Sequence, residues 1–194
     1  MSRGLLLLAA YLLGSVPTGL LLARMRGVDI RKAGSGNIGA TNVLRTTGKL
    51  PAFLTLLGDF LKGLLPVLIA TRLDTGIIYH GAVGIAAILG HNFPIYLKFR
   101  GGKGVATSLG VLTAYAPAAA AATAGIWLAT AALTRYSSLG ALVGFGALPV
   151  TVVLLDSGEK LPVALVMTLL LVARHQDNIR RLLQGKESKI GSKT

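Results

Sequence analysis

Six long apolar runs leave this chain little to fold into except membrane-spanning helices. They cover residues 5–23, 50–70, 76–97, 105–133, 139–155 and 161–173. A helix needs about 20 mostly apolar residues to cross a bilayer core, and most of these runs approach that length. Charged residues make up only 14% of the chain, against about 25% in a soluble domain, and the mean hydropathy is +0.67. The first run is not a secretory signal. Only Arg3 precedes it, while Arg24 and Arg26 follow it, the reverse of the basic-then-apolar order of a cleaved leader. It reads as a retained span.

The net charge of +13 would suggest nucleic acid in a soluble protein. Here it suggests cytoplasmic loops, which are enriched in Lys and Arg, and no nucleic-acid partner. The fourth run decides the topology. Tyr115-Ala116-Pro117 lies near its middle, and proline can either kink one helix or separate two short ones. Splitting there predicts seven transmembrane helices, some short, with the N-terminus outside and the C-terminus cytoplasmic. Only Arg3, Arg72 and Lys160 then lie outside, and Lys62 lies within a span. Six spans would put the basic tail, Arg174 to Lys193, outside. The expectation is an all-α polytopic membrane protein, with residues 1–194 as a single membrane-embedded domain. Small residues recur within the runs, including Gly81, Gly84, Ala86, Ala87, Gly90, Ala118 to Ala122, Gly140, Gly144 and Gly146, as close helix packing in lipid requires.

Three polar blocks then fall on the same side. The first, Gly34-Ser35-Gly36-Asn37-Ile38-Gly39-Ala40-Thr41-Asn42-Val43-Leu44-Arg45, is denser in small and polar residues than any core requires. Glycine lets backbone approach a ligand closely, successive N–H groups can form a concave anion site, and an arginine grips phosphate through two bonds. It reads as a phosphate-binding loop, against the alternative of a glycine-rich connector. The second block, residues 90–107, contains Gly101-Gly102-Lys103-Gly104 just before a predicted helix, whose N-terminal N–H groups attract anions. It does not match the Walker A pattern; the alternative is a surface turn meeting lipid headgroups. The third, residues 175–189, gathers His175, Asp177, Asn178, Arg180, Arg181 and Glu187.

Several residues carry open readings. His91 and His175 are candidate bases or structural histidines, with His175 favoured by its polar neighbours. Arg180 and Arg181 can serve catalysis or bind anionic lipid. Glu187 is expected to brace the basic tail through an ion pair. Asp59 and Lys62, three apart on one helix, can pair; Asp59 is expected to support the polar network of the first block. The absence of cysteine removes thiolate nucleophiles and cysteine–metal sites, and three histidines offer no zinc site. No metal or cofactor is expected.

Taken together, the three blocks resemble the signature regions of the bacterial integral-membrane glycerol-3-phosphate acyltransferases that use acyl phosphate as donor. The resemblance extends over essentially the whole chain, and the Ser-Gly-Asn-Ile-Gly-Ala-Thr-Asn and Gly-Gly-Lys-Gly-Val-Ala-Thr runs carry it. It implies a seven-helix fold in the bacterial cytoplasmic (inner) membrane with a cytoplasmic active site. Its partners would be acyl phosphate, glycerol 3-phosphate and membrane lipids. An acyl group would pass to the 1-hydroxyl of sn-glycerol 3-phosphate, giving lysophosphatidic acid and phosphate. Carried over by motif, Ser35, Arg45 and His175 belong to the chemistry, Gly101, Gly102, Lys103, Gly104 and Asn178 to substrate phosphate, and Glu187 to structural support. The polar Asn37, Thr41 and Asn42 of the first block are expected to join the phosphate contacts, and Asp59, from its place within a span, the structural support.

Acyl phosphate is already activated, so the expected work is orientation and charge stabilisation. The proton leaves the acceptor hydroxyl for His175 or for the donor's own phosphate. The lack of a Ser/His/acid triad favours the phosphate, and Ser35 is expected to donate a hydrogen bond rather than become acylated. The His-x-x-x-x-Asp pattern of other glycerolipid acyltransferases is met by neither His91 nor His175. The main rival is a small anion or phosphate-ester transporter, but no inverted repeat is visible. A CDP-alcohol phosphotransferase would want clustered aspartates, and a non-catalytic scaffold would leave the three blocks unexplained.

Overall fold

A computed structural model describes residues 2–73 and 76–191. The expected loop charge Asp74, and Lys193 in the tail, lie outside the described residues. The described residues form helices: α1 Arg3–Gly14, α2 Thr18–Arg24, α3 Ala40–Thr47, α4 Lys49–Arg72, α5 Ile77–Asn92, α6 Val105–Tyr115, α7 Pro117–Thr134, α8 Ser137–Leu155, α9 Leu161–Arg174 and α10 Gln176–Leu183, with 3-10 turns at Ile95–Leu97 and Gly158–Lys160. By length and composition four segments could cross a membrane: Arg3–Arg24, Lys49–Arg72, Pro117–Thr134 and Ser137–Leu155.

The first run is two helices in series, not one uninterrupted helix. Pro17 has no N–H to continue the ladder, and the chain breaks across Ser15, Val16 and Pro17. The carbonyl of Val16 left at the break accepts a hydrogen bond from buried Lys62 Nζ at 2.8 Å. Pro117 separates two helices: Ala116 adopts an extended φ of −146° and ψ of 74° and Pro117 opens α7, as the clash before proline favours. Helix α6 has 11 residues and is only about 16 Å long at 1.5 Å per residue. The third run ends as helix at Asn92 and gives way to a polar turn. Pro149 sits inside α8 without ending it, because the Phe145 carbonyl it cannot bond accepts from Thr168 Oγ1 of α9 at 2.8 Å.

Close helix contact rests on glycine, at Gly90, Gly140 and Gly144 as expected and at Gly14, Gly63 and Gly110 besides. A Cβ on Gly14 of α1 would overlap the Ala87 carbonyl of α5, and one on Gly90 would overlap the Tyr11 carbonyl in return. Gly63 of α4 meets the Thr107 carbonyl of α6, and Gly110 meets the Phe60 carbonyl. Gly140 and Gly144 of α8 lie against the Trp127 and Thr123 carbonyls of α7. Gly146, grouped with these in the sequence, faces open space. The main apolar core joins Val67, Ile88, Leu112, Phe145, Leu148, Met167 and Leu171. Outward faces carry exposed Leu57, Leu65, Leu68, Ile69, Val153, Leu154 and Leu169. In water such a surface would be a large apolar patch; lipid tails accept it.

Candidate active site

The first polar block is loop only as far as Gly39. Ala40–Thr47 is helix α3, so Thr41 and Arg45, four apart, share a face, and both line one cavity. The preceding loop is organised from within by Asn42. Its Oδ1 accepts from the Ser35 N–H at 2.9 Å. Its Nδ2 donates to the carbonyls of Ile30, Ala33 and Asn37 at 3.3, 3.1 and 2.9 Å. Gly34 has φ +58°, and a Cβ there would overlap Asn42 Oδ1. Asn42 was assigned to substrate phosphate, but the loop takes up its amide. Beneath it Leu20, Ala23, Ile30, Ile38 and Val43 form a small core.

The second block turns sharply through Lys98 and Phe99, both at positive φ. The resemblance implies that Gly101, Gly102 and Gly104, with Lys103, hold substrate phosphate. In the fold Gly101 N–H donates to the Asn92 carbonyl at 3.2 Å and Gly102 N–H to the His91 carbonyl at 3.1 Å. What faces the cavity is Lys103, Gly104, Val105 and Ala106. Leading N–H groups of a helix lack intrahelical partners, so in this block the start of α6, where Val105 and Ala106 line the cavity, rather than the diglycine, has backbone donors to spare. Gly104 has φ +83°, and a Cβ there would press on Asn92 Oδ1.

From the third block come His175, Asn178, Arg181 and Glu187, all on the same cavity. Glu187 joins the elements: its Oε1 accepts from Ser138 Oγ at 2.6 Å and from Asn178 Nδ2 at 2.6 Å, and its Oε2 from Arg181 Nε at 2.7 Å. Asn178 Oδ1 accepts from Lys103 Nζ, which carries the chain of contacts into the second block. Arg45 Nη2 donates to the Ser188 carbonyl at 2.9 Å, while its Nε is buried without a protein partner. Arg180 pairs with Asp177 at the surface, 3.9 Å apart, and is not among the residues lining the cavity.

The electrostatics follow from burial and these partners. Burial pushes Lys103 down to about 8, with Glu187 opposing and Arg181 assisting. His175 is pushed down to about 4 by burial, against the raising effect of its bond to Leu171. Its Nδ1 lies 2.8 Å from the Leu171 carbonyl. A carbonyl can only accept, so Nδ1 carries the proton and Nε2 the lone pair. For Glu187 burial works upward, but hydrogen bonds from Ser138, Arg181 and Asn178 outweigh it and hold the carboxyl below its usual value.

Asp59 pairs with Lys62 as their spacing allows, its carboxylate 2.8 Å from Lys62 Nζ. Its other ionic partner is His91 Nδ1 at 3.7 Å, in the second block and not, as expected, in the polar network of the first. Asp59 and His91 still border the cavity. Ser137, Ser138, Trp127 and Arg174 lie outside the three blocks. Of these, only Ser137 and Ser138 carry a local signal in the sequence, a pair of hydroxyls at a helix start on the polar side. All three blocks thus meet at one cavity, whose apolar wall is Leu56, Leu109, Trp127 and Ala141.

A family model described as glycerol-3-phosphate acyltransferase matches residues 4–185. A glycerol-3-phosphate acyltransferase of Thioalkalivibrio sulfidiphilus is 52% identical over 97% of this chain and 94% of its own. One from Geotalea daltonii is 48% identical over 96% and 97%. Among solved structures, the chain is similar to the integral membrane glycerol 3-phosphate acyltransferase PlsY (YgiH). Its glycerol 3-phosphate form has a TM-score of 0.94 at 40% identity, covering 98% of this chain and 96% of that one. Its lysophosphatidic acid form has a TM-score of 0.91. Matched along nearly its whole length in both sequence and fold, the chain belongs to the glycerol-3-phosphate acyltransferase family, enzymes of the membrane.

Proposed function

We propose that this enzyme transfers a fatty acyl group from acyl phosphate to the 1-hydroxyl of glycerol 3-phosphate, releasing lysophosphatidic acid and inorganic phosphate. The observation that carries the reading is the meeting of Ser35 and Arg45, Lys103, and His175 and Asn178 around one cavity. Two phosphorylated reactants need two sets of anion donors, and three cation-bearing segments supply them. The related PlsY has glycerol 3-phosphate and lysophosphatidic acid forms, an acceptor and an acylated product consistent with this reaction.

In the reaction the acceptor oxygen attacks the acyl carbonyl. The new C–O ester bond forms, the carbonyl–phosphate C–O bond breaks, and the hydroxyl proton passes to the departing phosphate. Arg45, Lys103 and the first turn of α6 hold the phosphates and steady the charge that develops on them. Ser35, Asn37 and Thr41 donate to phosphate oxygens, and Asn42 shapes their loop. His175, neutral around pH 7 with Nε2 as acceptor, orients the hydroxyl; a group depressed to about 4 is a weak base, which favours phosphate as the proton's destination. Gly101 and Gly102 support Lys103, Glu187 ties Asn178 and Arg181 together, and Asp59 braces His91. The acyl chain lies along Leu56, Leu109 and Trp127.

The same reading takes residues 1–194 as one acyltransferase domain of seven spans. Its N-terminus is outside and its C-terminus in the cytoplasm, and the membrane is the bacterial inner membrane. Purified protein given labelled acyl phosphate and glycerol 3-phosphate, without added metal, should form lysophosphatidic acid and phosphate in equal amounts. Acceptor flux across vesicles without product would favour the transporter instead.

A further inference from the structure

All four polar backbone groups of Gly101 and Gly102 are engaged. Their N–H groups go to the Asn92 and His91 carbonyls. Their carbonyls both accept from Arg174, Nη2 to Gly101 at 3.2 Å and Nε to Gly102 at 3.1 Å. The same guanidinium lies over the Phe93 ring, 5.2 Å from its centroid. Neither glycine has room for a side chain. A Cβ on Gly101 would overlap the His91 carbonyl and Pro94, and one on Gly102 the His91 ring. The diglycine is therefore a pedestal held on both sides, and the next residue it carries is Lys103. One side is gripped by backbone of its own segment; the other is gripped by a single side chain from the end of α9.

We propose that Arg174 is a positioning residue that sets Lys103 at the cavity by holding the two carbonyls before it. The proposal rests on the reading that Lys103 binds substrate phosphate. Arg174 directly precedes His175, so the guanidinium also fixes the second polar segment relative to the third. Arg174 is not among the residues lining the cavity where the three blocks meet. A lysine cannot take its place: the planar fork presents Nε and Nη2 to two neighbouring acceptors at once, whereas an ammonium is a point charge on a flexible stem.

The test compares wild type, Arg174→Ala, Arg174→Lys and Lys103→Met, with and without methylguanidinium. Arg174→Ala should raise KM for glycerol 3-phosphate about tenfold, the scale of losing charge-assisted hydrogen bonds, with kcat less affected. Methylguanidinium should recover at least half of the lost kcat/KM in Arg174→Ala and none in Lys103→Met. Arg174→Lys should behave like the alanine variant. Wild-type kinetics in Arg174→Ala or Arg174→Lys would overturn the proposal, as would absent recovery in an Arg174→Ala protein of unchanged melting temperature. If Arg174→Ala fails to fold, the KM of Arg174→Lys decides by the same criterion. Wild-type affinity in Lys103→Met would instead remove the phosphate role of Lys103, and the proposal with it.

Discussion

Lys103 concentrates the chemistry of this site into one titratable group. Its ammonium is held by Asn178 Oδ1, and burial lowers its pKa to about 8. Phosphate binding needs the charged form, so affinity falls as the proton leaves. The alkaline limb of kcat/KM, which reports the free enzyme, should therefore lie near pH 8 rather than near the 10.5 of an ordinary lysine. A pH profile checks this, and Lys103→Arg should move the limb beyond the alkaline range. At this scale much was legible: Ser35, Arg45, Lys103, His175 and Asn178 stand out as small, polar or charged residues among apolar runs. Their partners were not. That Asp59 faces His91 depends on how α4 packs on α5, and nothing within either segment encodes that contact. Asn42 illustrates the same limit, since composition cannot distinguish an amide that binds a ligand from one that builds the loop.

Each helix boundary has a local cause, and proline shows how far such causes reach. Pro117 divides its run as expected, and Pro17 divides a run read as one span, each through its missing N–H group. Pro149 does not, because Thr168 of α9 supplies the donor for the Phe145 carbonyl; only the folded pair reveals it. Thr168→Val keeps the shape and removes that donor, leaving a buried carbonyl unpaired at a cost of about 1–3 kcal/mol. The expected outcome is a lower melting temperature with KM unchanged, measured by thermal denaturation in detergent alongside steady-state kinetics. The end of the first motif as helix α3 was likewise not legible from its glycines. Yet the helix is what brings Thr41 and Arg45 to one face.

Across the whole molecule, apolar surface faces outward and polar groups gather at one cavity. The apolar runs and the spread of basic residues announced a membrane protein. The close approach of α1 to α5 and of α4 to α6 through paired glycines makes the bundle tight enough to bring the three blocks together. The contacts of Lys103 with Asn178 and of Arg45 with Ser188 complete the enclosure from distant parts of the chain. Convergence of the three blocks on shared substrates is best tested by calorimetric binding of glycerol 3-phosphate to wild type and to one variant from each: Ser35→Ala, Lys103→Met and Asn178→Ala. The prediction is that every variant weakens binding, by about tenfold for loss of the lysine charge. Wild-type affinity in all three would contradict a common phosphate-binding site.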